Sequence, residues 1–323
     1  MHRRTFLKLA GSAGAGLSTF PAVVGAQAPW PSKPMKIIVP FGAGGGTDSL
    51  ARFWAERLGQ AFGQPFVVEN RGGASGLIGT EAVAKSAPDG YTLLLSSNSP
   101  TVNLPLLRKL PYDAGALQPV VRVGDAVTGF CVHPGTGLKS VSELVDHARA
   151  NPGKLACCSG GVATSSHMRM EMLAYRTGVQ FLHVPYRGGA DALNDLLAGT
   201  VHFMNDPTTN PSAKAGKLHM LCVNHSIRSP EFPDVPTLTE AGYPNSDVPL
   251  WFSIWAPAGM PATIVEALHA KVTEISKAPD VPARLLLSGS LPVTSTHAEL
   301  LAFHDAERKS TIDLIKAANI KLE

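Results

Sequence analysis

The sequence predicts an α/β protein of two domains, in which mostly parallel sheets are flanked by helices. Short apolar runs at residues 37–39, 66–68 and 91–95 alternate with stretches of helical spacing. Such alternation is typical of parallel sheets. The 323 residues of the chain also exceed what a single hydrophobic core usually serves, so we expect two domains.

The first 26 residues have the features of an export signal. Twin arginines, Arg3 and Arg4, precede a weakly apolar run over residues 9–24, and small residues lead up to Ala26. This pattern predicts a signal peptide that is cleaved after Ala26 and a mature protein in the periplasm. The twin arginine favours Tat export, and a Sec signal is the alternative. No later stretch is long and apolar enough to span a bilayer.

This leader also explains the net charge of the chain. The sequence has 28 Lys and Arg against 25 Asp and Glu. Three of the basic residues, Arg3, Arg4 and Lys8, belong to the leader, so the mature chain has 25 of each sign and is formally neutral. The charge balance therefore gives no argument for nucleic acid or an anionic membrane surface as a partner.

A glycine-rich turn joins the first predicted strand to the first predicted helix. Residues 36–39 form the strand, four glycines lie within residues 42–46, and Thr47 or Asp48 is expected to cap the helix. Glycine lets a backbone approach a bound group closely. The helix N-terminus adds free N–H groups and the positive end of a dipole, and this combination favours an anion such as a carboxylate or a phosphate.

The loop alone does not identify that anion. It lacks the Gly-Lys-Ser/Thr ending of a P-loop. A dinucleotide site is one alternative, because the second predicted strand ends in Glu69, about where a ribose-binding carboxylate would lie. A plain turn with extra glycine is the other alternative.

Further polar loops follow the later predicted strands. The segments 44–48, 72–76 and 96–99 each come after a strand of the first half, so we expect them to meet at one rim of a sheet. In the second half, predicted strands at 154–158 and 181–185 lead into a Gly/Ser-rich loop over 159–167 and into a turn at Arg187. Two anion-binding helix N-termini that face each other across a cleft would clamp an acidic ligand by hinge closure.

The sequence offers little support for catalysis or for a metal centre. The four cysteines, Cys131, Cys157, Cys158 and Cys222, fit neither a disulfide scaffold nor a zinc site, and we expect them to be small buried hydrophobes. A Gly-x-Ser-x-Gly elbow, a His-Glu-x-x-His pair and a clear acid/base pair of carboxylates are all missing. We therefore expect no enzyme, no metal and no cofactor.

Short motifs follow one another along the whole mature chain in a definite order. They are Trp-Pro-Ser-Lys-Pro at 30–34, Val-Pro-Phe at 39–41, Gly-Gly-Gly-Thr-Asp at 44–48, Val-Val-Glu-Asn-Arg at 67–71, Ala-Pro-Asp-Gly-Tyr-Thr at 87–92, Lys-Leu-Pro-Tyr-Asp at 109–113, Asn-Pro-Gly-Lys-Leu at 151–155, His-Val-Pro-Tyr-Arg-Gly at 183–188, Pro-Asp-Val-Pro-Thr at 233–237 and Ala-Pro-Ala-Gly at 256–259. In order and spacing they resemble the periplasmic solute-binding proteins of tripartite tricarboxylate transporters, the Bug or TctC family.

The resemblance implies a two-lobed type II periplasmic binding fold, a Venus flytrap with the ligand in the cleft. Lobe 1 would comprise residues 29–127 and 252–323, and lobe 2 would comprise residues 128–251. The chain would then cross between the lobes twice.

The same resemblance implies a function. The ligand would be a small organic carboxylate: a di- or tricarboxylate, an acidic amino acid or an aromatic acid. The partners would be the membrane subunits of a tripartite tricarboxylate-type transporter, and the protein would be a monomer. An exported dinucleotide-dependent oxidoreductase and an orphan ligand-sensing receptor are the alternatives.

The residues expected to bind the ligand lie in the loops at the strand ends. From lobe 1 they are Phe41, Gly44, Gly45, Gly46, Thr47, Asp48, Ser97 and Asn98. From lobe 2 they are Ser159, Gly161, Thr164, Ser165, Ser166, Arg187, Gly188 and Asp206. Arg187 either pairs with a ligand carboxylate or forms a salt bridge within the protein. Asp206 either contacts an amino or hydroxyl group of the ligand or fixes a loop.

Three residues of the predicted lobe 2 loop depart from the family pattern. Cys157 stands where a large residue is common, Val162 where a polar one is common and Ala163 where glycine is common. These departures predict a more apolar side of the cleft and a ligand with an apolar or aromatic body.

Overall fold

The computed structural model describes residues 30–320. The predicted signal peptide and its cleavage site lie outside the described residues. Between residues 30 and 320, no helix combines the length and the apolar character that a membrane crossing needs.

The strands of the described chain form a six-stranded and a five-stranded sheet. In chain order the strands are β1 (Met35–Val39), β2 (Phe66–Asn70), β3 (Thr92–Ser97), β4 (Leu117–Ala126), β5 (Gly129–Val132), β6 (Ala156–Ser159), β7 (Leu182–Pro185), β8 (Phe203–Met204), β9 (His219–Val223), β10 (Trp251–Pro257) and β11 (Ser290–Leu291). The helices are α1 (Gly46–Phe62), α2 (Leu77–Ala84), α3 (Leu104–Leu107), α4 (Val141–Ala150), α5 (Ser165–Thr177), α6 (Gly189–Leu197), α7 (Asn210–Lys214), α8 (Ala262–Ser276), α9 (Val281–Leu286) and α10 (His297–Ala317).

Both sheets are mixed. The first sheet has the strand order β11-β4-β10-β3-β1-β2, and the second sheet has the order β7-β6-β8-β5-β9. The strands β1, β2 and β3 run parallel, and β10 lies antiparallel between β3 and β4. In the second sheet β6 is parallel to β7 and β8, whereas β5 is antiparallel to β8 and β9. The predicted α/β class is confirmed.

The chain passes from the first sheet to the second between β4 and β5 and returns between β9 and β10. The strands β10 and β11 therefore rejoin a sheet that was begun by the N-terminal strands. The exact lobe boundaries, after residues 127 and 251, stay a prediction.

The helix α1 shows how the sequence builds the first layer. Leu50, Trp54 and Leu58 recur at helical spacing and are fully buried against the first sheet. The Trp54 indole N–H donates to the backbone oxygen of Val123 over 3.1 Å. This bond joins α1 to β4 and helps to hold the helix against the sheet.

Three local predictions differ from the structure. The cap of α1 is Gly45 rather than Thr47 or Asp48, because Asp48 accepts a hydrogen bond from the preceding loop instead. The strand β4 was not predicted. The sequence predicts a strand over residues 200–204, but β8 covers only two residues, because the backbone N–H of Thr200 still closes a turn onto Asp195 after α6.

The four cysteines are buried and unpaired, as predicted for small hydrophobic residues. Burial raises the pKa of the Cys131 thiol to about 12, so this group stays protonated and unreactive. Within the described part of the chain, no group of three or more His, Cys, Asp or Glu side chains is arranged to hold a metal ion.

Candidate functional site

A cavity of about 400 Å³ lies between the two sheets. Its size suits a small organic molecule. The first sheet and its loops contribute Phe41, Gly42, Ala43, Gly45, Gly46, Thr47, Gly72, Gly73, Ser97, Ser99, Leu250 and Phe252. The second sheet and its loops contribute Gly160, Thr164, Ser165, Ser166, Arg187, Gly188, Gly189, Ala190, Asp191, Asp206, Pro207 and Thr208.

The N-terminus of α1 opens onto this cavity. The first backbone N–H to bond within the helix is that of Ser49, which donates to the oxygen of Gly45. The N–H groups of Gly46 and Thr47, which line the cavity, have no acceptor among residues 30–320. A side chain at Gly46 would place its Cβ 3.2 Å from Pro207 Cβ. Glycine therefore permits the second sheet to approach the start of α1.

Asp48 holds the loop before α1 in place. Its carboxylate accepts hydrogen bonds from the Gly44 N–H (2.9 Å), Arg52 Nε (3.0 Å) and Asn70 Nδ2 (3.0 Å). Burial alone would raise the pKa of Asp48, but the bonds from Arg52, Gly44 and Asn70 together lower it. Asp48 thus remains ionised. It holds the loop through these hydrogen bonds and does not itself line the cavity.

The N-terminus of α5 faces the same cavity from the second sheet. The Ser165 N–H donates to Ser99 Oγ over 3.0 Å, and Ser165 Oγ donates to Asn98 Oδ1 over 2.7 Å. Both acceptors belong to the segment that follows β3 in the first sheet. The N–H of Ser166 has no acceptor within the described part of the chain, so it is available to a ligand.

The N-terminus of α6 completes the second-sheet side. The helix begins at Gly189 after the cap residue Gly188, and its first-turn N–H groups, including that of Ala190, lack acceptors in the described chain. Arg187 precedes the cap, lines the cavity and is exposed. Its guanidinium forms no ion pair or hydrogen bond with any residue between 30 and 320.

Within residues 30–320, three helices of nine or more residues therefore present their first turns to one cavity. Each N-terminus is equivalent to roughly half a positive charge. Arg187 adds a full one. Such a site favours an anion with several acceptor oxygens, since its free N–H groups come from different directions.

Asp206 lies at the end of β8 and lines the cavity between α5 and α6. Its Oδ1 accepts hydrogen bonds from the backbone N–H (3.0 Å) and the hydroxyl (2.8 Å) of Thr208. Burial raises the pKa of Asp206, although the bonds from Thr208 and the charge of Arg169 oppose the rise. Asp206 thus both fixes a loop and presents an acidic group to the cavity.

Two histidines lie behind the loop that precedes α5. The rings of His167 and His183 stack with their centroids 4.0 Å apart, and Ser159 Oγ lies 2.7 Å from His183 Nε2. Burial, together with the neighbouring His167, lowers the pKa of His183 to about 3, so this ring is neutral. Ser159 also accepts a bond from the Gly161 N–H. These groups shape the loop and do not line the cavity.

The structure brings most of the predicted site residues together. Those that line the cavity are Phe41, Gly45, Gly46, Thr47, Ser97, Thr164, Ser165, Ser166, Arg187, Gly188 and Asp206. Gly44, Asp48, Asn98, Ser159 and Gly161 lie outside its lining and support the loops that form it. Ligand binding by either set stays a prediction.

Other lining residues were not among the predicted site residues. Gly72 and Gly73 lie in the glycine turn after β2 that was expected at the rim, so the sequence carried a signal for them. Thr208 follows Asp206 by two residues, the spacing of an Asx-turn, which was a usable signal. Leu250 and Phe252 line the cavity from β10 and the segment before it.

None of the residues behind the prediction of a more apolar cleft side lines the cavity. Cys157 is buried in the core of the second sheet. Ala163 packs against Leu77 and Leu104, and Val162 also lies outside the lining. The argument for an apolar ligand body therefore loses its basis.

Glu69, on which the dinucleotide interpretation depended, lies elsewhere. Its carboxylate pairs with Arg71 Nε at 2.6 Å and with Lys36 Nζ at 3.8 Å. It does not line the cavity. The geometry therefore gives a ribose no carboxylate at the predicted place.

Comparisons with known proteins agree with one another. Residues 50–320 match the family model TctC, described as the tripartite tricarboxylate transporter family receptor. Protein BugT of Bordetella pertussis is 36% identical over 317 residues, which cover 95% of this chain and 97% of BugT.

Two solved structures share the fold over nearly their whole length. Rpa4515 of R. palustris, solved with adipate, has a TM-score of 0.87 and 32% identity, and the match covers 90% of this chain and 99% of that one. The periplasmic binding protein BugD has a TM-score of 0.84 and 32% identity, with 91% and 100% covered. The agreement of fold, motif order and sequence identity places this chain in the TctC, or Bug, family of periplasmic solute-binding proteins.

Proposed function

We propose that this protein is a non-enzymatic periplasmic receptor that captures a small organic carboxylate and delivers it to the membrane subunits of a tripartite tricarboxylate-type transporter. The observation that carries the proposal is that, in the described part of the chain, three helix N-termini and an Arg187 without a protein partner meet around one cavity. Adipate in the structure of Rpa4515 supports a carboxylate as the ligand.

The proposed mechanism uses the two sheets as the two lobes, with boundaries after residues 127 and 251. The start of α1 holds one carboxylate through backbone N–H groups. The second sheet then closes by a hinge motion and adds α5, α6 and Arg187. The membrane subunits recognise the closed form of a monomeric receptor.

The first test is a thermal-shift screen of the mature protein against aliphatic, amino-acid and aromatic carboxylates. A ligand that binds only the folded state, at one hundred times its dissociation constant, adds about 2.7 kcal/mol of stability. We expect at least one acid to shift the melting temperature. A shift with nicotinamide or flavin dinucleotides, and with no acid, would contradict the proposal.

The second test concerns Arg187. We expect Arg187→Ala to weaken the best acid about tenfold, since a hydrogen bond to a charged group contributes about 1.5–3 kcal/mol and exposure reduces that contribution. Calorimetric titration measures the change. The control is Arg308→Ala on α10, an exposed arginine away from the cavity. Equal losses in both variants would mean that net charge, not this contact, attracts the ligand.

A further inference from the structure

Asp206 stands out in the cavity because its surroundings mostly donate hydrogen bonds. The free backbone N–H groups at the starts of α1, α5 and α6 and the guanidinium of Arg187 are all donors. The other acidic group in the lining, Asp191, is exposed to solvent on α6. A ligand that is only an anion would have to be accommodated beside the carboxyl of Asp206.

Among residues 30–320, the hydrogen bonds of Asp206 leave one of its oxygens without a donor. Oδ1 is occupied by the N–H and the hydroxyl of Thr208. Oδ2 has only the Ser166 hydroxyl nearby, at 3.3 Å. That hydroxyl has a single hydrogen, and the backbone oxygen of Asn205 lies closer to it, at 2.6 Å. The hydrogen therefore goes to Asn205, and Oδ2 keeps its acceptor capacity.

Asp206 also lacks a direct charge partner in the described chain. The guanidinium of Arg169 acts on it from a distance. Arg169 itself donates to Asn205 Oδ1 (2.7 Å) and to the backbone oxygen of Val248 (2.8 Å). A largely buried carboxylate without a donor on one oxygen is costly. A donor from the ligand would remove that cost.

We propose that the ligand is a carboxylate that also carries a hydrogen-bond donor, a hydroxyl or an ammonium group, and that Asp206 Oδ2 accepts it. This inference rests on the proposed function. Arg187 and the helix N-termini hold the carboxylate end, and Asp206 selects the substituent. A plain acid of the same skeleton leaves Oδ2 unsatisfied and places its own negative charge beside it.

The experiment uses matched sets of acids that differ only in this substituent. Succinate, malate and aspartate form one set; glutarate, 2-hydroxyglutarate and glutamate form the second; 3-phenylpropanoate, phenyllactate and phenylalanine form the third. Calorimetric titration of the mature protein should show, in the set that fits the cavity, at least a tenfold preference for a donor-bearing member. Which member is preferred, hydroxy or amino, identifies the substituent.

The variant Asp206→Asn sharpens the test. Asparagine also accepts from the Thr208 N–H, since it favours such caps, and its Nδ2 then takes the place of Oδ2. The variant should bind the plain acid more tightly and the donor-bearing acid at least tenfold more weakly. Asp191→Asn removes the same charge from the exposed acid and should change the plain acid and the hydroxy acid of a set, which carry equal charge, by one common factor.

The outcomes separate this inference from the proposed function. If no acid of any set binds, the receptor function fails. If acids bind but the plain members bind as tightly as the others, the inference is overturned and the receptor function stands. The same holds if Asp206→Asn changes all members of a set equally.

Discussion

On both sides of the cavity a strand leads through a glycine-rich loop into a helix, but different groups hold the two loops in place. On the first sheet, β1 runs through a glycine loop into α1. On the second sheet, β6 runs through a Gly/Ser loop into α5. The first loop is fixed by Asp48 together with Arg52 and Asn70, all from the same sheet layer. The start of α5 is fixed by Ser99 and Asn98 from the opposite sheet.

Because of this difference, only the second side needs the opposite sheet to keep its geometry. The first side is complete in itself, since all its fastening groups lie near α1. The second side has its present geometry only while α5 rests on the segment after β3. We infer that ligand affinity depends on the contact between the sheets as much as on the groups that touch the ligand, and three variants test this.

The largest effect is expected from the apolar contact between the sheets. Met168 of α5 is fully buried against Leu314 of α10 and against Ile320, which follows that helix. Met168→Ala should lower the free energy of unfolding by about 3 kcal/mol, because truncation of a buried methionine leaves a cavity. It should also weaken ligand binding, because fewer molecules then hold α5 in the binding geometry.

The matched control is Leu173→Ala on the same helix. Leu173 is equally buried, but its neighbours lie in the core of the second sheet. Urea unfolding should show a similar loss for both variants, whereas titration of the folded protein should show weaker binding only for Met168→Ala. Equal binding by the two variants would show that the contact between the sheets does not matter for affinity.

The sequence predicted the local strand–loop–helix units better than the contacts between residues far apart in the chain. The strand–loop–helix units around α1, α5 and α6 follow from apolar runs and glycine loops, and they supplied most of the cavity lining. The pairing of Ser99 with Ser165 could not be predicted, because the two residues are 66 positions apart and no periodic pattern links them. The expectation of Asp48 as a cap of α1 was wrong for a similar reason, since its partner Asn70 lies at the end of β2, 22 positions away.

The strand β4 shows a second limit of sequence reasoning. Its ten residues include Pro119, Gly124 and two charged side chains, Arg122 and Asp125, all of which weaken a strand pattern. Its pairing with β10 has two register shifts, which break the alternation of buried and exposed positions. β4 is a strand because it pairs with β10 and β11. These two strands lie more than 120 residues further along the chain.

A middle-sized effect is expected from the polar contact between the sheets. Ser99→Ala leaves the buried N–H of Ser165 without its acceptor, and such a loss costs about 1–3 kcal/mol. The Ser165 N–H should lose protection in hydrogen exchange. The control Ser96→Ala removes a buried hydroxyl that bonds within its own strand segment, to the oxygen of Ser97. Protection of Ser165 that survives Ser99→Ala would refute the fastening of α5 by the first sheet.

The smallest effect is expected for the loop before α1, which is held by groups of its own sheet and helix. Asp48→Asn keeps an acceptor for the Gly44 N–H but loses the charge-assisted pairing with Arg52 and the bond that Asn70 donates to Oδ1, at a cost of about 1–2 kcal/mol. The pKa of Asp48 is lowered from its ordinary value of 3.8. Its contribution to stability is therefore fully present above that value and is lost as the pH falls through the lower pKa of the folded state.

The difference in unfolding free energy between the wild type and Asp48→Asn should thus be constant near neutral pH and should shrink below about pH 4. Urea unfolding at several pH values measures it. Because the loop before α1 is fastened within one sheet, the variant should leave the exchange protection of the Ser165 N–H unchanged. A loss of that protection would mean that the two sides are coupled through the loop as well, and that the first side is not complete in itself.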